Sequence, residues 1–248
     1  MKPRFSRSSN GFYQYFFSDT RIKAYTSTRI FNGRFEEEAP GERQRIFDAL
    51  KISASDVVGA CQTHETRIER VDLSSKGLGG LLESDAFRGT DGFTTGDPGV
   101  ILSIKTADCL PLFLADPATG ACSVIHAGWK GLKAGIVENG IAILKGCCGS
   151  NAVNLEAVIG PVIRREDYEV GEEFSRYFPE DVYPKSESSK FCFDLPNACR
   201  RRLLQAGLRE ENILDPGLST VGNPEDFFSY RREGETSGRM LSLMWRAL

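Results

Sequence analysis

Histidine is scarce in this chain: 248 residues contain only His64 and His126. Any chemistry that depends on imidazole is therefore confined to two rings. Long apolar runs are missing too. With no stretch of about 18 apolar residues, a membrane-spanning helix is excluded. The amino-terminal MKPRFSRSSNGFYQYFF lacks the apolar core of a secretory signal, so a cytoplasmic protein is expected. There is no basic excess either: 31 basic against 34 acidic residues give a net charge of -3, which offers nucleic acid no electrostatic footprint. Seven cysteines, an odd number scattered over a long chain, do not form the framework of a small disulfide-stapled domain, so reduced thiols are expected. No linker divides the sequence. The expectation is one domain over residues 1–248, and a monomer.

What is present is an ordinary globular balance, 40% hydrophobic and 26% charged, with ample material for a core. Phe12 to Phe17 reads as a first strand, while the polar stretch from there to Pro40 has no assignable pattern. Ile46, Phe47 and Leu50 share one face of a short helix from Glu42 to Leu50. Val57 to Cys61 reads as one buried strand, and SSKGLGG, Ser74 to Gly80, as a turn or loop. Val100–Ile104, Leu112–Ala115 and Ala121–Ile125 are apolar runs of strand length, the last two separated by the turn Asp116-Pro117-Ala118-Thr119-Gly120. A helix from Leu132 to Lys145 follows, and the adjacent Cys147 and Cys148 read as small residues after it. Leu155–Ile159 is a further strand. Asp194 opens a helix that has Pro196 in its first turn and Gly207 past its end. Met240 to Trp245 is the closing strand. Periodicity supports a mixed α and β class, without internal repeats.

The stretch Thr90 to Leu132 holds the chemistry. Cys109 stands in Ala107-Asp108-Cys109, His126 in His126-Ala127-Gly128-Trp129, and His64 ends Gln62-Thr63-His64 upstream. All three fall at strand ends. One thiolate and two imidazoles suit a zinc whose fourth position stays open, with donor atoms within about 4 Å of each other. Taken singly, Cys109 also reads as a small buried hydrophobe and each histidine as a buried hydrogen-bonding group. Asp108 is a candidate acceptor for a ligand imidazole or a proton-transfer group, and equally a turn-capping carboxylate. Arg231, Arg232 and Arg239 read either as a phosphate clamp or as a solvated hairpin.

These blocks resemble the laccase-domain proteins, also called bacterial polyphenol oxidases, purine nucleoside phosphorylases or peptidoglycan-editing factors. The resemblance runs from about residue 57 to 248. It is carried by QTH (Gln62–His64), TDGFTT (Thr90–Thr95), TADCLP (Thr106–Pro111), HAGWKG (His126–Gly131), IGP (Ile159–Pro161), YEVGEE (Tyr168–Glu173) and FFSYRREGETSGR (Phe227–Arg239). It implies a layered αββα sandwich with mixed sheets, and metal ligands at His64, Cys109 and His126. The amino-terminal segment 1–41 diverges, having no Gly-Gly in FFSDTRIKAYTSTRIFNGRF, and Ser219-Thr220 stands where the family has cysteine-threonine.

The resemblance implies a zinc enzyme acting on purine nucleosides, by phosphorolysis with phosphate or by deamination of adenosine with water. Catalytic roles then fall to Cys109, His126 and Asp108, and substrate or phosphate contacts to Gln62, Lys130, Tyr230, Arg231, Arg232 and Arg239. Three alternatives stand beside it. Copper oxidation of phenols follows the laccase name, but a trinuclear copper cluster fed by imidazoles cannot be built from two histidines. A metal-free hydrolase would use Cys109 as nucleophile and His126 as base. A zinc-stabilised binding module would have no catalysis at all.

Overall fold

The computed structural model describes residues 2–35, 41–185 and 190–248. Two six-stranded mixed sheets carry it. The first runs in the order Arg4–Arg7, Phe12–Phe16, Ile22–Ser27, Met240–Arg246, Ile101–Thr106, Val57–Val58; every pair is antiparallel except the last. The second runs Ile213–Leu214, Glu156–Ile159, Leu110–Ala115, Cys122–Ala127, Gly92–Thr95, Ile68–Arg70, antiparallel inside and parallel at both edges.

The apolar alternation along these strands sorts the core into three layers. Tyr15, Leu102, Ile104 and Met244 from the first sheet meet Phe113, Val124 and Val158 from the second in the space between the sheets. On the outside of the first sheet, Phe12, Ile101 and Leu243 pack against Ile46 and Phe47 of the helix Gly41–Leu50. On the outside of the second, Leu112, Leu114 and Ile125 pack against Ile136, Val137, Ile141 and Leu144 of Ile136–Cys148, and Leu203 of Leu195–Gln205 joins them. The result is helix, sheet, sheet, helix, the expected αββα sandwich. At about 2 kcal/mol for each large side chain buried, the layer between the sheets is a main source of stability. Among the described residues no helix is long and apolar enough to cross a membrane.

Several local readings change. Val57–Cys61 is two strands that part at Gly59, whose amide bonds Leu78 O and where an added Cβ would lie 2.2 Å from Gly79 O. Val57–Val58 joins the first sheet, whereas Ala60–Cys61 pairs with Phe87–Arg88. The helix expected from Leu132 to Lys145 is also two: Trp129–Lys133 stops before Gly135, at φ +93°, and Ile136–Cys148 restarts after it. Cys147 and Cys148 form the last turn of that second helix rather than following it.

The segment without assignable pattern contains the strand Ile22–Ser27, whose Ile22, Ala24 and Thr26 are buried at period two. An exposed strand, Arg4–Arg7, precedes the expected first one. Residues 36–40 of the divergent segment lie outside the described residues.

Candidate metal centre and cavity

Two neighbouring strands deliver two of the three donors to one end of the second sheet. Cys109 immediately precedes Leu110–Ala115, and His126 lies near the end of Cys122–Ala127, opposite Pro111 in the ladder. Proline is tolerated there because that side of the pair needs no donor from it, and the His126 amide bonds Asp91 O at 2.7 Å instead. His64 arrives from the turn after Ala60–Cys61, with φ at +62°, a left-handed conformation that a side chain adopts only when its surroundings hold it.

The holder is Asp91. This fully buried carboxylate accepts the backbone amides of Thr63 at 3.2 Å, His64 at 3.0 Å and Glu65 at 2.8 Å. Its Oδ1 also lies 2.8 Å from His126 Nδ1. One side chain thus fixes the turn that carries one imidazole and orients the ring of the other. Burial alone would push the Asp91 carboxyl up, but the His126 ring and the amides hold it below the usual carboxylate range.

The donor atoms of His64, Cys109 and His126 lie within 4.8 Å of one another, somewhat wider than the expected separation, and the two rings meet edge to face with centroids 4.7 Å apart. Gly128 leaves room for them: a Cβ there would sit 3.1 Å from Cys109 Sγ and 3.2 Å from His64 Cδ2. Burial pushes the Cys109 thiol up, yet the His126 and His64 imidazoles outweigh it and bring it down to about 6. Burial opposes charge on His126 as well, and Cys109 with Asp91 overcomes this to raise it to about 9. A thiolate drawn out by two imidazoles is the donor set a borderline-soft divalent ion takes, and the cation would replace the imidazolium proton. The residues fit such an ion.

The cluster opens into a cavity of about 590 Å³. Trp129, Tyr168 and Tyr230 give it aromatic walls, while Lys105, Arg231 and Arg239 give it positive charge. Burial pushes the Tyr168 phenol far above its usual value, so it stays neutral.

Of the residues read from the sequence, Gln62, Asp108, Tyr230, Arg231 and Arg239 also line this cavity. Gln62 is fixed by two bonds to the Lys105 backbone, Nε2 to O at 2.8 Å and N to Oε1 at 2.7 Å. Arg231 donates to the carbonyls of Asp167 and Glu169 and lies 5.4 Å from the Tyr168 ring centroid. Arg239 donates to the carbonyls of Ser237 and Gly238. Tyr230 is 50% exposed.

Three readings are corrected. Asp108 is not the acceptor for a ligand imidazole: its Oδ1 accepts from Thr220 Oγ1 and its Oδ2 from Arg231 N, both at 2.6 Å. Arg232 is no phosphate clamp, since its guanidinium donates to the carbonyls of Thr220, Val221 and Phe227 and to Glu233. It sits in the helical turn Tyr230–Glu233 rather than in a hairpin. Lys130 is on the solvent side of Trp129–Lys133, its Nζ 5.8 Å from the Trp129 ring centroid, and lies outside the cavity lining.

Sequence reasoning passed over Asp91 and Lys105. Asp91 carried a signal, as the one acidic residue in TDGFTT. Lys105 carried none beyond being a charge at the end of an apolar strand.

Known proteins share both sequence and shape. The chain is 33% identical over 208 residues, 82% of its own length and 75% of the relative's, to a Bacillus subtilis protein named purine nucleoside phosphorylase YlmD. Over 218 residues, 82% of each chain, it is 30% identical to adenosine deaminase RL5 from an unknown prokaryotic organism. The crystal structure of YlmD from Geobacillus stearothermophilus superposes with a TM-score of 0.90 at 25% identity, covering 98% of this chain and 99% of that one. A family model described as multi-copper polyphenol oxidoreductase laccase matches residues 35–247, and with the fold and these relatives it shows that the chain belongs to that laccase-like family.

Proposed function

We propose that this chain is a zinc-dependent purine nucleoside enzyme, cleaving adenosine, inosine, guanosine or 5′-methylthioadenosine with phosphate, deaminating adenosine, or both. The observation that carries the reading is the convergence of His64, Cys109 and His126 at the wall of an aromatic and cationic cavity. The names of the phosphorylase and deaminase relatives support the substrate class. Arg4–Arg7 and Met240–Arg246 belong to one sheet, which favours a single unit over residues 1–248. We take it to act as a monomer in the cytoplasm.

A zinc held by the three donors supplies a Lewis acid at the cavity wall. The chain's own residues supply the rest. Trp129, Tyr168 and Tyr230 offer flat apolar faces to a purine and exclude water around it. In phosphorolysis a phosphate oxygen bonds to C1′ while the bond from C1′ to the base breaks, and the base keeps the electron pair and takes a proton. In deamination water oxygen bonds to C6 and the amino group leaves as ammonia. Asp108, which lines the cavity and is held between Thr220 and the Arg231 amide, is the carboxylate we assign to move the proton in either case.

A second reading has its own support: Cys109, His126 and Asp91 also stand in the order nucleophile, base and orienting carboxylate. It leaves the third donor, His64, without a role. Chromatography of nucleoside mixtures with and without phosphate, using metal-free and zinc-loaded protein, tests the proposal. Zinc-dependent inosine formation from adenosine, or base release that requires phosphate, is the expected result. Turnover in metal-free protein that zinc inhibits would favour the thiol nucleophile.

A further inference from the structure

The cavity's third cation has a carboxylate in its grasp. Lys105 Nζ lies 2.5 Å from Glu83 Oε1, and both side chains line the cavity. The lysine is held firmly from behind, because Gln62 bonds its backbone amide and carbonyl and its neighbours belong to the strand Ile101–Thr106. Glu83 is held less firmly, in the single turn Glu83–Asp85 on a loop.

Next to Lys105, Thr106 is 1% exposed and also lines the cavity, yet its hydroxyl finds no hydrogen-bond partner among the described residues. A buried hydroxyl left unpaired costs stability, so a group that a ligand satisfies is the natural account of its persistence.

We infer that Lys105 and Thr106 form the subsite for inorganic phosphate, and that Glu83 occupies Lys105 until the anion displaces it. The inference rests on the phosphorolytic reading and gives it a specific anion site, in place of the Lys130 and Arg232 that the structure removes from the cavity. Lys105 supplies a point charge and Thr106 a neutral donor, the pairing a phosphate oxygen takes. Arg231 and Arg239 line the same cavity, but each already donates to backbone carbonyls.

The test uses zinc-loaded protein and titrates inorganic phosphate by calorimetry and in steady-state phosphorolysis. Lys105→Met raises the phosphate Kd and KM about tenfold or more, Lys105→Arg recovers part of the loss, and Glu83→Gln lowers both severalfold. Thr106→Val raises the phosphate KM while leaving Tm unchanged or higher, which a merely structural hydroxyl would not do. Phosphorolysis with a phosphate KM indifferent to Lys105→Met overturns the subsite and leaves the proposed function standing. Lys105-dependent phosphate binding in a protein that only deaminates keeps the subsite and overturns phosphorolysis. Titration with adenosine 5′-monophosphate separates free from substrate-borne phosphate: Lys105-dependent affinity for the nucleotide alone overturns the assignment to inorganic phosphate.

Discussion

Asp91 Oδ1 lies 2.8 Å from His126 Nδ1, and the same carboxylate accepts the backbone amides of the turn that carries His64. The candidate metal centre is therefore organised by a residue that is not one of its three donor side chains. Replacing Asp91 by Asn removes one acceptor and places an amide against backbone donors. Asp91→Asn should weaken zinc binding about 10- to 100-fold. Competition with a chelator of known affinity measures this, and an unchanged affinity would confine Asp91 to holding the turn.

Cys109 separates the two readings of the centre. As a ligand, it should take metal and activity with it when lost: Cys109→Ala and His126→Ala each lower zinc content and turnover in parallel, because two donors hold the ion poorly. Elemental analysis beside the nucleoside assay checks the expectation. Loss of turnover at full zinc occupancy in Cys109→Ala would instead mark a nucleophile.

Arg232 binds three carbonyls and Glu233, so its role is to fasten the segment 220–233. Arg232→Ala should destabilise the fold by about 1–2 kcal/mol by removing the donors to three part-buried carbonyls. Denaturant unfolding measures the loss, while the phosphate KM of the folded variant stays within about twofold of the parent, since lost charge-assisted binding would cost tenfold or more. A large rise in that KM would return Arg232 to the anion site.

Gly135 divides two helices at φ +93°, where a Cβ would meet nothing closer than Glu138 Oε2 at 3.6 Å. Space is therefore no obstacle, and the cost of Gly135→Ala is conformational, about 1–2 kcal/mol. A Tm equal to the parent's would mean the break relaxes into one continuous helix.

Asp215 forms two bonds with the Arg164 guanidinium. Burial pushes its carboxyl up, but Arg164 prevails and holds it below the ordinary value. A depressed carboxyl stabilises the fold above its unfolded pKa, about 4, and loses that contribution as pH falls through the folded value. Asp215→Asn should thus cost about 1 kcal/mol at pH 7 and progressively less toward pH 3. Unfolding curves across that range decide it, and a difference that grows on acidification would refute the assignment.

The sequence by itself determined the pieces whose cause is local. Apolar runs of strand length and the turn chemistry of Asp116 to Gly120 specified the strands on either side of it, and placed Cys109 and His126 at their ends. The strand Ile22–Ser27 was equally local but escaped notice, because serine, threonine and lysine dilute its period-two pattern. Other decisions were made only by the tertiary structure. Asp91 is 27 residues from His64 and 35 from His126, and nothing short of the folded sheet tells which of several acidic residues will face an imidazole. In sequence Lys130, inside the block HAGWKG, looks the better candidate for the cavity than Lys105, which only precedes the block TADCLP. The packing of Trp129–Lys133 turns Lys130 to solvent, while the end of Ile101–Thr106 delivers Lys105 to the cavity. A long charged side chain goes where its element's buried face leaves it, and which face is buried depends on partners far along the chain.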